Sequence, residues 1–485
     1  MSNQWSAYQQ KVFSFVEDST AGNGIVRAVA GSGKTTTIVE ALKRVQGSSI
    51  FLAFNKSIAE ELKKRGVNAR TFHSLTFMPV MKSRNQSNPE MNKLKKLFDA
   101  NSSDEEIKLY RSFAMKLVGL ARNAGIGTYL QEDTPEAWME IVEHHDIELE
   151  SEEASLSTGI AQARALLTLS NASPMVDFDD MLYFAVRDEI ALSKFDFVFV
   201  DESQDTNAIQ RAILRKILRK GSRIVFVGDP AQAIYGFRGA DSDSMLLLQQ
   251  EFNCTELPLT ITYRCAASVV NYAQQWVPEI EARTNAPAGV VKHLGAKWTP
   301  ADMEAGDLVV CRTTAPLLTT AFKFIRANKP VQVLGREIGQ GLKTLIKKMN
   351  AKDIDMLTVK LEAYMDREVR AAMLKDDEQK AEAIQDKVGS LLFLIEGLKE
   401  GRRTLEDLEL GIDYLFKDKT NAVLFSTIHK SKGLEADRVF WLERSKCPSK
   451  WARQDWQVQQ ELNLCYVAAT RAKNELYTIE LKEAE

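Results

Sequence analysis

The chain has 485 residues, 45% of them hydrophobic and 27% charged, with a formal net charge of −3. This is the composition of a globular protein of roughly three domains. It excludes a generally basic nucleic-acid coat, so any polyanion has to be gripped by a local groove. No apolar stretch approaches the ~20 residues that span a bilayer, and MSNQWSAYQQ at the N-terminus lacks the charged lead and apolar core of a signal peptide. Cys254, Cys265, Cys311, Cys447 and Cys465 are scattered, with no CxxC spacing. Neither a disulfide framework nor a zinc site is expected; a reducing, cytoplasmic setting without membrane contact is.

The first informative element is AVAGSGKTTTIVEAL, Ala28 to Leu42. Ile25 and Val26 before it predict a short strand, and Ile38, Val39 and Leu42 recur at helical spacing. The glycines therefore stand at a helix N-terminus, where unpaired N–H groups and the helix dipole favour an anion. Ala30, Gly31, Ser32 and Gly33 would let the backbone approach phosphates. Lys34 would bring a charge to the β- and γ-phosphates, and Thr35, followed by Thr36, would offer a hydroxyl to Mg²⁺. The strict pattern GxxxxGK[ST] wants glycine where this chain has Ala28; the bland alternative is a Gly/Ser-rich turn.

FVFVDESQDTN (Phe197 to Asn207) opens with four apolar residues, the pattern of a strand buried on both faces. Asp201, Glu202, Gln204 and Asp205 crowd its end. A polar turn would account for them in isolation. With a phosphate loop upstream, Asp201 would hold Mg²⁺ and Glu202 would orient and deprotonate the attacking water. Arg211, Arg215, Arg219 and Lys220 follow on an expected helix, as a solvated face. RIVFVGDPAQAIYGFRGAD (Arg223 to Asp241) then carries another apolar strand, Ile224 to Val227, and Gln232 comes where a γ-phosphate sensor would stand. Tyr235 and Phe237 alternate with Gly236 beside Arg238. Such rings suit stacking on unpaired bases, worth about 1–3 kcal/mol per base; the alternative is that they fill the core.

In this order the blocks GSGKT, DESQD and GDPAQAIYGFRGA resemble signature blocks of superfamily-1 helicases of the UvrD/Rep/PcrA kind. Other stretches resemble the remaining blocks. WSAYQQKVF is similar to the Q motif, with Gln9 matching the adenine-reading glutamine, whose amide offers a donor beside an acceptor. LAFNKSIAEEL and RTFHSL are similar to strand-gripping blocks through Phe54, Asn55 and His73. In LTITYRC the resemblance makes Tyr263 a ring stacked on the base of ATP and Arg264 a γ-phosphate ligand. In STIHKSKGLEADRVFW it makes His429 a strand-facing residue and Glu435 an acceptor from the ribose. In LNLCYVAATRAKNELY it makes Arg471 the second arginine finger, a class of residue worth roughly 10³–10⁵ in rate. Val29 replaces a glycine usual in the family, and Phe237 stands where many members carry tryptophan.

The implied fold is α/β: two RecA-like P-loop NTPase lobes with parallel sheets, each carrying a mainly helical insertion. Motif order puts the first lobe at 1–75 and 161–256, its insertion at 76–160, the second lobe at 257–335 and 420–485, and a short insertion at 336–419, in the place of the family's 2B subdomain. Strands are expected at Leu308–Cys311, Val331–Leu334, Val423–Ser426 and Val439–Leu442. Ile384, Val388, Leu391 and Ile395 form an apolar helix stripe, either a bundle face or a partner surface. ATP is expected between the lobes. Lys56, Lys63, Lys64 and Arg70 are the phosphate candidates along DNA.

The expected activity is that of an ATP- and Mg²⁺-dependent motor on single-stranded and tailed duplex DNA, 3′ to 5′ by resemblance alone, with replication or repair proteins as candidate partners through the insertions. Three rivals stand beside it. One is a translocase that strips proteins without efficient unwinding, and another a nucleotide-gated binding module. The third is a helicase–nuclease, against which only 14 residues follow Arg471.

Overall fold

A computed structural model of the protein describes residues 5–145, 147–149, 151, 153–236, 243–374, 378–398 and 403–481. The chain divides into two units, Met1–Ala28 with Gly33–Leu259, and Val29–Ser32 with Thr260–Glu485.

The first unit is built on six parallel strands: β1 (Asn23–Ala28), β2 (Ser49–Leu52), β3 (Ala69–Arg70), β4 (Phe195–Val200), β5 (Leu218–Gly228) and β6 (Cys254–Leu259). Their order across the sheet is β3-β2-β4-β5-β1-β6. Side chains alternate between the two faces of a strand, and here both faces are covered, which is why the strands read as unbroken apolar runs. Ile25, Ile50, Val198 and Ile224 enter one core. Val26, Phe51, Phe199 and Val225, one residue on, enter the other. The helices are α1 (Ala7–Glu17), α2 (Lys34–Leu42), α3 (Lys56–Lys64), α4 (Phe72–Ser83), α5 (Lys93–Asn101), α6 (Asp104–Ala124), α7 (Pro135–His145), α8 (Leu156–Ala172), α9 (Asp180–Arg187), α10 (Ala208–Ile217) and α11 (Ser244–Glu251). The expected limit at 160/161 falls inside α8.

The helices α5, α6 and α9 meet at a buried ionic network. Lys93 Nζ lies 2.6 Å from Asp180 Oδ2, and Arg122 reaches Asp177 at 2.9 Å and Asp180 at 3.1 Å. Arg122 also donates to the Ser170 hydroxyl on α8.

The basic run after the acidic strand departs from expectation. Helix α10 stops at Ile217, and Arg219 and Lys220 already lie on β5, because Leu218 pairs with Phe195 of β4. Nor is the run one solvated face. Arg211 is buried and, with Arg215, pairs with Glu251 of α11, while Arg219 pairs with Asp196.

The second unit holds a short pair, β7 (Ile261–Thr262) with β8 (Glu281–Ala282), and a second parallel sheet. Its strands are β9 (Val290–Gly295), β10 (Leu308–Cys311), β11 (Val331–Val333), β12 (Val423–Thr427), β13 (Ala436–Leu442) and β14 (Ala472–Ile479), in the order β11-β12-β10-β13-β14-β9. Its helices are α12 (Ala267–Ala273), α13 (Ala315–Arg326), α14 (Arg336–Met349), α15 (Ile354–Leu374), α16 (Glu378–Glu396), α17 (Leu405–Phe416) and α18 (Asp455–Ala469). The stripe on α16 is a bundle face: Val388, Leu391 and Ile395 are buried in one core with Val309, Phe324 and Phe425, and Ile384 packs against it. Asp386 of α16 also accepts from the backbone N–H groups of Thr314 and Ala315, capping α13 at the end of β10. Among the described residues no helix is long and apolar enough to cross a membrane.

Candidate functional site

Strands β1, β5 and β4 are consecutive in the first sheet and parallel, so their carboxyl ends emerge side by side, where α/β sheets place ligands. The chain leaves β1 and reaches α2 through a loop in which Gly31 (φ +70°) and Gly33 (φ +78°) take the left-handed conformation that only glycine adopts freely. Gly33 caps α2 without any side-chain hydrogen bond, which leaves the first helical N–H groups available to an anion. Lys34 Nζ stands 3.8 Å from Glu202 Oε2, and the Thr35 hydroxyl donates to Asp201 Oδ2 at 3.4 Å. The phosphate loop and the acidic strand end, 167 positions apart between Lys34 and Asp201, are thus brought to one place.

Glu202 has a left-handed backbone, φ +49°, a strain of about 1–3 kcal/mol that it shares with Glu189, Glu443 and six asparagines among the described residues. Its carboxylate accepts from the Gln204 amide, while the Gln204 carbonyl accepts from the Asp229 N–H at 3.0 Å. Asp229 in turn accepts from the buried Gln232 amide. Gln232 therefore stands in a line of hydrogen bonds that ends on Glu202. Burial, and then the neighbouring Glu202 charge, push the Asp201 carboxyl up to about 6, against Lys34 and Thr35. Burial does the same to Asp229, again to about 6.

The donors here are a hydroxyl and carboxylates, the hard oxygen ligands a divalent cation such as Mg²⁺ takes. Among the described residues no group of three or more His, Cys, Asp and Glu could hold a metal by itself. A short protein ligand set of this kind suits magnesium that arrives with phosphates and keeps part of its water. The Ser32 hydroxyl is buried without a hydrogen-bond partner, as an acceptor-seeking group in a phosphate loop would be.

Gln9 is buried. Its amide donates to Thr37 Oγ1 at 3.0 Å, and its carbonyl accepts from the Ser6 N–H as part of the α1 capping box. Thr37 donates onward to Gly33 O at 2.9 Å, so Gln9 is wired to the phosphate loop. Thr36 is exposed in the first turn of α2.

Among the strand-gripping candidates, Phe54 is exposed and its ring lies parallel to that of Tyr235, 7° between planes and 6.3 Å between centroids. Tyr235 itself is half-buried. Asn55 uses its side-chain oxygen to cap α3, accepting from the Ile58 N–H at 2.9 Å. His73 is half-buried and stacks on Phe178 at 3.8 Å; burial lowers its imidazole to about 4, so it is neutral at pH 7. Lys63, Lys64 and Arg70 are exposed. Phe237 and Arg238 lie outside the described residues.

In the second unit, which includes Val29–Ser32, the Tyr263 N–H donates to Gly31 O at 2.8 Å and the Ala30 N–H to the Tyr466 hydroxyl at 2.9 Å. A Cβ on Gly31 would fall 2.5 Å from the Arg264 Cβ, a second reason for glycine there. Arg264 Nε lies 2.7 Å from Glu435 Oε2. Arg471 is 1% exposed, and its guanidinium donates to the carbonyls of Val467 at 2.9 Å and Leu434 at 3.0 Å. In this arrangement Arg471 braces the loop that carries Glu435. His429 is half-buried just past the end of β12.

Several residues escaped sequence reading. Phe178 sits in DFDD, Asp177 to Asp180, where an exposed aromatic between acids is itself a signal. Thr37 and Tyr466 have none, since each matters only through a partner distant in sequence.

The UvrD/REP helicase N-terminal domain family matches residues 8–253, and the UvrD-like helicase C-terminal domain family matches residues 374–483. The chain is 27% identical over 305 residues to a probable DNA helicase II homolog of Mycoplasma pneumoniae, covering 55% of this chain and 42% of that protein. It is 22% identical over 507 positions to F-box DNA helicase protein 1 of Schizosaccharomyces pombe, covering 93% and 55% respectively. A segment of 123 residues is 32% identical to the ATP-dependent DNA helicase PcrA of Leuconostoc citreum, covering 22% of this chain and 16% of that one. The chain spans about half the length of the first two of these relatives. With a glycine-bearing loop, paired carboxylates and two parallel sheets in place, and with just over half of its length matched by the N-terminal domain family, the chain belongs to the UvrD/REP helicase family.

Proposed function

We propose that the chain is an ATP-driven motor that moves on single-stranded DNA and separates duplex. The observation that carries this reading is the meeting of Lys34, Thr35, Asp201 and Glu202 at neighbouring strand ends in a chain of a helicase family. Backbone N–H groups of the loop and of the first turn of α2, with Lys34, bind the β- and γ-phosphates. Glu202 orients the attacking water and accepts its proton. Asp201 and Thr35 would hold Mg²⁺, which supplies charge neutralisation on the phosphates. Gln9 and Tyr263 are read as base contacts and Glu435 as the sugar contact. Arg264 serves the γ-phosphate, with Arg471 as second finger once it leaves its carbonyls. Residues 1–75 with 161–256, and 257–335 with 420–485, are read as the two lobes.

The line Glu202–Gln204–Asp229–Gln232 leads from the water-activating carboxylate to the loop bearing Tyr235. A change at the γ-phosphate thereby reaches a ring that holds DNA. Phe54, Tyr235 and the His73–Phe178 stack are read as base platforms, with Asn55, Phe237, Arg238 and His429 as further strand contacts. Substituting Tyr235 by alanine is expected to weaken binding of an oligothymidylate by about 1–3 kcal/mol, and Phe54→Ala to add little to it because the two rings face each other. Fluorescence anisotropy checks this, and an unchanged affinity in Tyr235→Ala would refute the platform.

Proton and cation compete for Asp201. Its carboxyl is pushed up to about 6, so below that pH a proton must leave before Mg²⁺ binds. Calorimetric titration is expected to show an affinity that is flat above about pH 7 and falls up to about tenfold per unit below 6. A flat profile from pH 5 to 7 would contradict the assignment.

The whole reading is tested with 3′- and 5′-tailed duplexes: ATP-dependent strand separation on the 3′-tailed substrate is expected. DNA-stimulated hydrolysis without separation would favour the protein-stripping translocase, and neither activity would remove the motor.

A further inference from the structure

In the second unit the carboxylate of Glu435 carries two cations from two different elements. Arg264, between β7 and α12, sets Nε 2.7 Å from Oε2, and Lys473, on β14, sets Nζ 2.9 Å from Oε1. The Arg264–Glu435 contact is a close ion pair between partly exposed groups. Another Arg264 nitrogen donates to the Thr470 carbonyl at 3.2 Å. Glu435 is fixed on both sides by Arg471, whose guanidinium holds Leu434 O and whose carbonyl accepts from the Ala436 N–H at 3.1 Å. Partial burial opposes the charge, yet Lys473 and Arg264 keep the Glu435 carboxyl below the usual range.

We propose that Glu435, Lys473 and Arg264 form a latch, in which Glu435 withholds Arg264 until a ribose hydroxyl takes the arginine's place on Oε2. The latch rests on the reading of Arg264 as a γ-phosphate ligand and Glu435 as a sugar contact. Its physical basis is that the exchange conserves contacts. As Arg264 transfers to the far more negative triphosphate, the hydroxyl donates to the oxygen it vacates. Lys473 stays on Oε1, so the carboxylate is never without a cation. Lys473 is thus a positioning residue: by sharing the carboxylate it weakens the hold of Glu435 on the arginine. The ligand selected is a ribonucleoside triphosphate with its sugar hydroxyls free, and release of the arginine follows recognition of the sugar.

The test is steady-state hydrolysis on single-stranded DNA by the wild type, Lys473→Met, Glu435→Gln and the double variant, with ATP and its 2′- and 3′-deoxy analogues. Lys473→Met leaves Arg264 as the sole cation on Glu435 and is expected to raise KM for ATP about threefold, the scale of a partly exposed ion pair. Glu435→Gln is expected to narrow the preference for ATP over the deoxy analogues. In the Glu435→Gln background Lys473→Met is expected to change nothing further. An equal rise of KM in both backgrounds would mean that Lys473 acts only structurally, and the latch would be overturned; so would wild-type kinetics indifferent to both sugar hydroxyls. A wild type that hydrolyses no ATP would instead refute the underlying motor reading.

Discussion

Glu202→Gln is expected to lower DNA-stimulated ATP turnover about 10²–10⁴-fold while ATP still binds. Glutamine keeps the shape of the side chain and an oxygen that can accept from the Gln204 amide, so the line through Asp229 to Gln232 survives. What it lacks is the ability to take a proton from water. The neighbouring Asp201 is read as the Mg²⁺ ligand, and a carboxylate committed to the cation is a poor base for water. Phosphate release gives the turnover, and a fluorescent ATP analogue gives the affinity. Turnover within tenfold of wild type would remove Glu202 as the general base.

The largest stability effect is expected at Arg122. It is 1% exposed and pairs with Asp177, Asp180 and Ser170, while Lys93, wholly buried, pairs with Asp180. Arg122→Ala leaves two buried carboxylates facing one ammonium, and breaking a buried pair in this way costs about 3–5 kcal/mol. Trp138, also wholly buried on α7, is a natural probe of this region. Urea unfolding followed by tryptophan fluorescence, to which Trp138 contributes with six other tryptophans, should show the midpoint falling accordingly. An unchanged midpoint would show that the network orders the helices without stabilising them. Asp177 and Asp180 cap one another's backbone N–H groups around Phe178, so the same variant is expected to loosen the His73–Phe178 stack.

Amino-acid order alone was enough to expose the glycine-bearing turn between β1 and α2, the acidic strand end and the α/β class. Each is a short-range pattern: apolar runs set strands, helical spacing sets α2, and glycines mark the backbone positions that need φ above zero. Partnership across sequence was not legible in the same way. That Asp229 joins Gln204, that Glu251 and Asp196 quench the basic run, and that Cys447 and Cys465 come within 3.5 Å as thiols all depend on which strands and helices lie side by side. Burial then changed the character of residues whose type was plain from the start. Arg471, a finger by resemblance, is enclosed and hydrogen-bonded to carbonyls, and Asp201, an ordinary acid in sequence, holds its proton up to about pH 6. Local chemistry is written in neighbouring residues, whereas solvent exclusion and ion pairing arise only when distant segments pack, and those two effects set the charge state and the freedom of each group in the site.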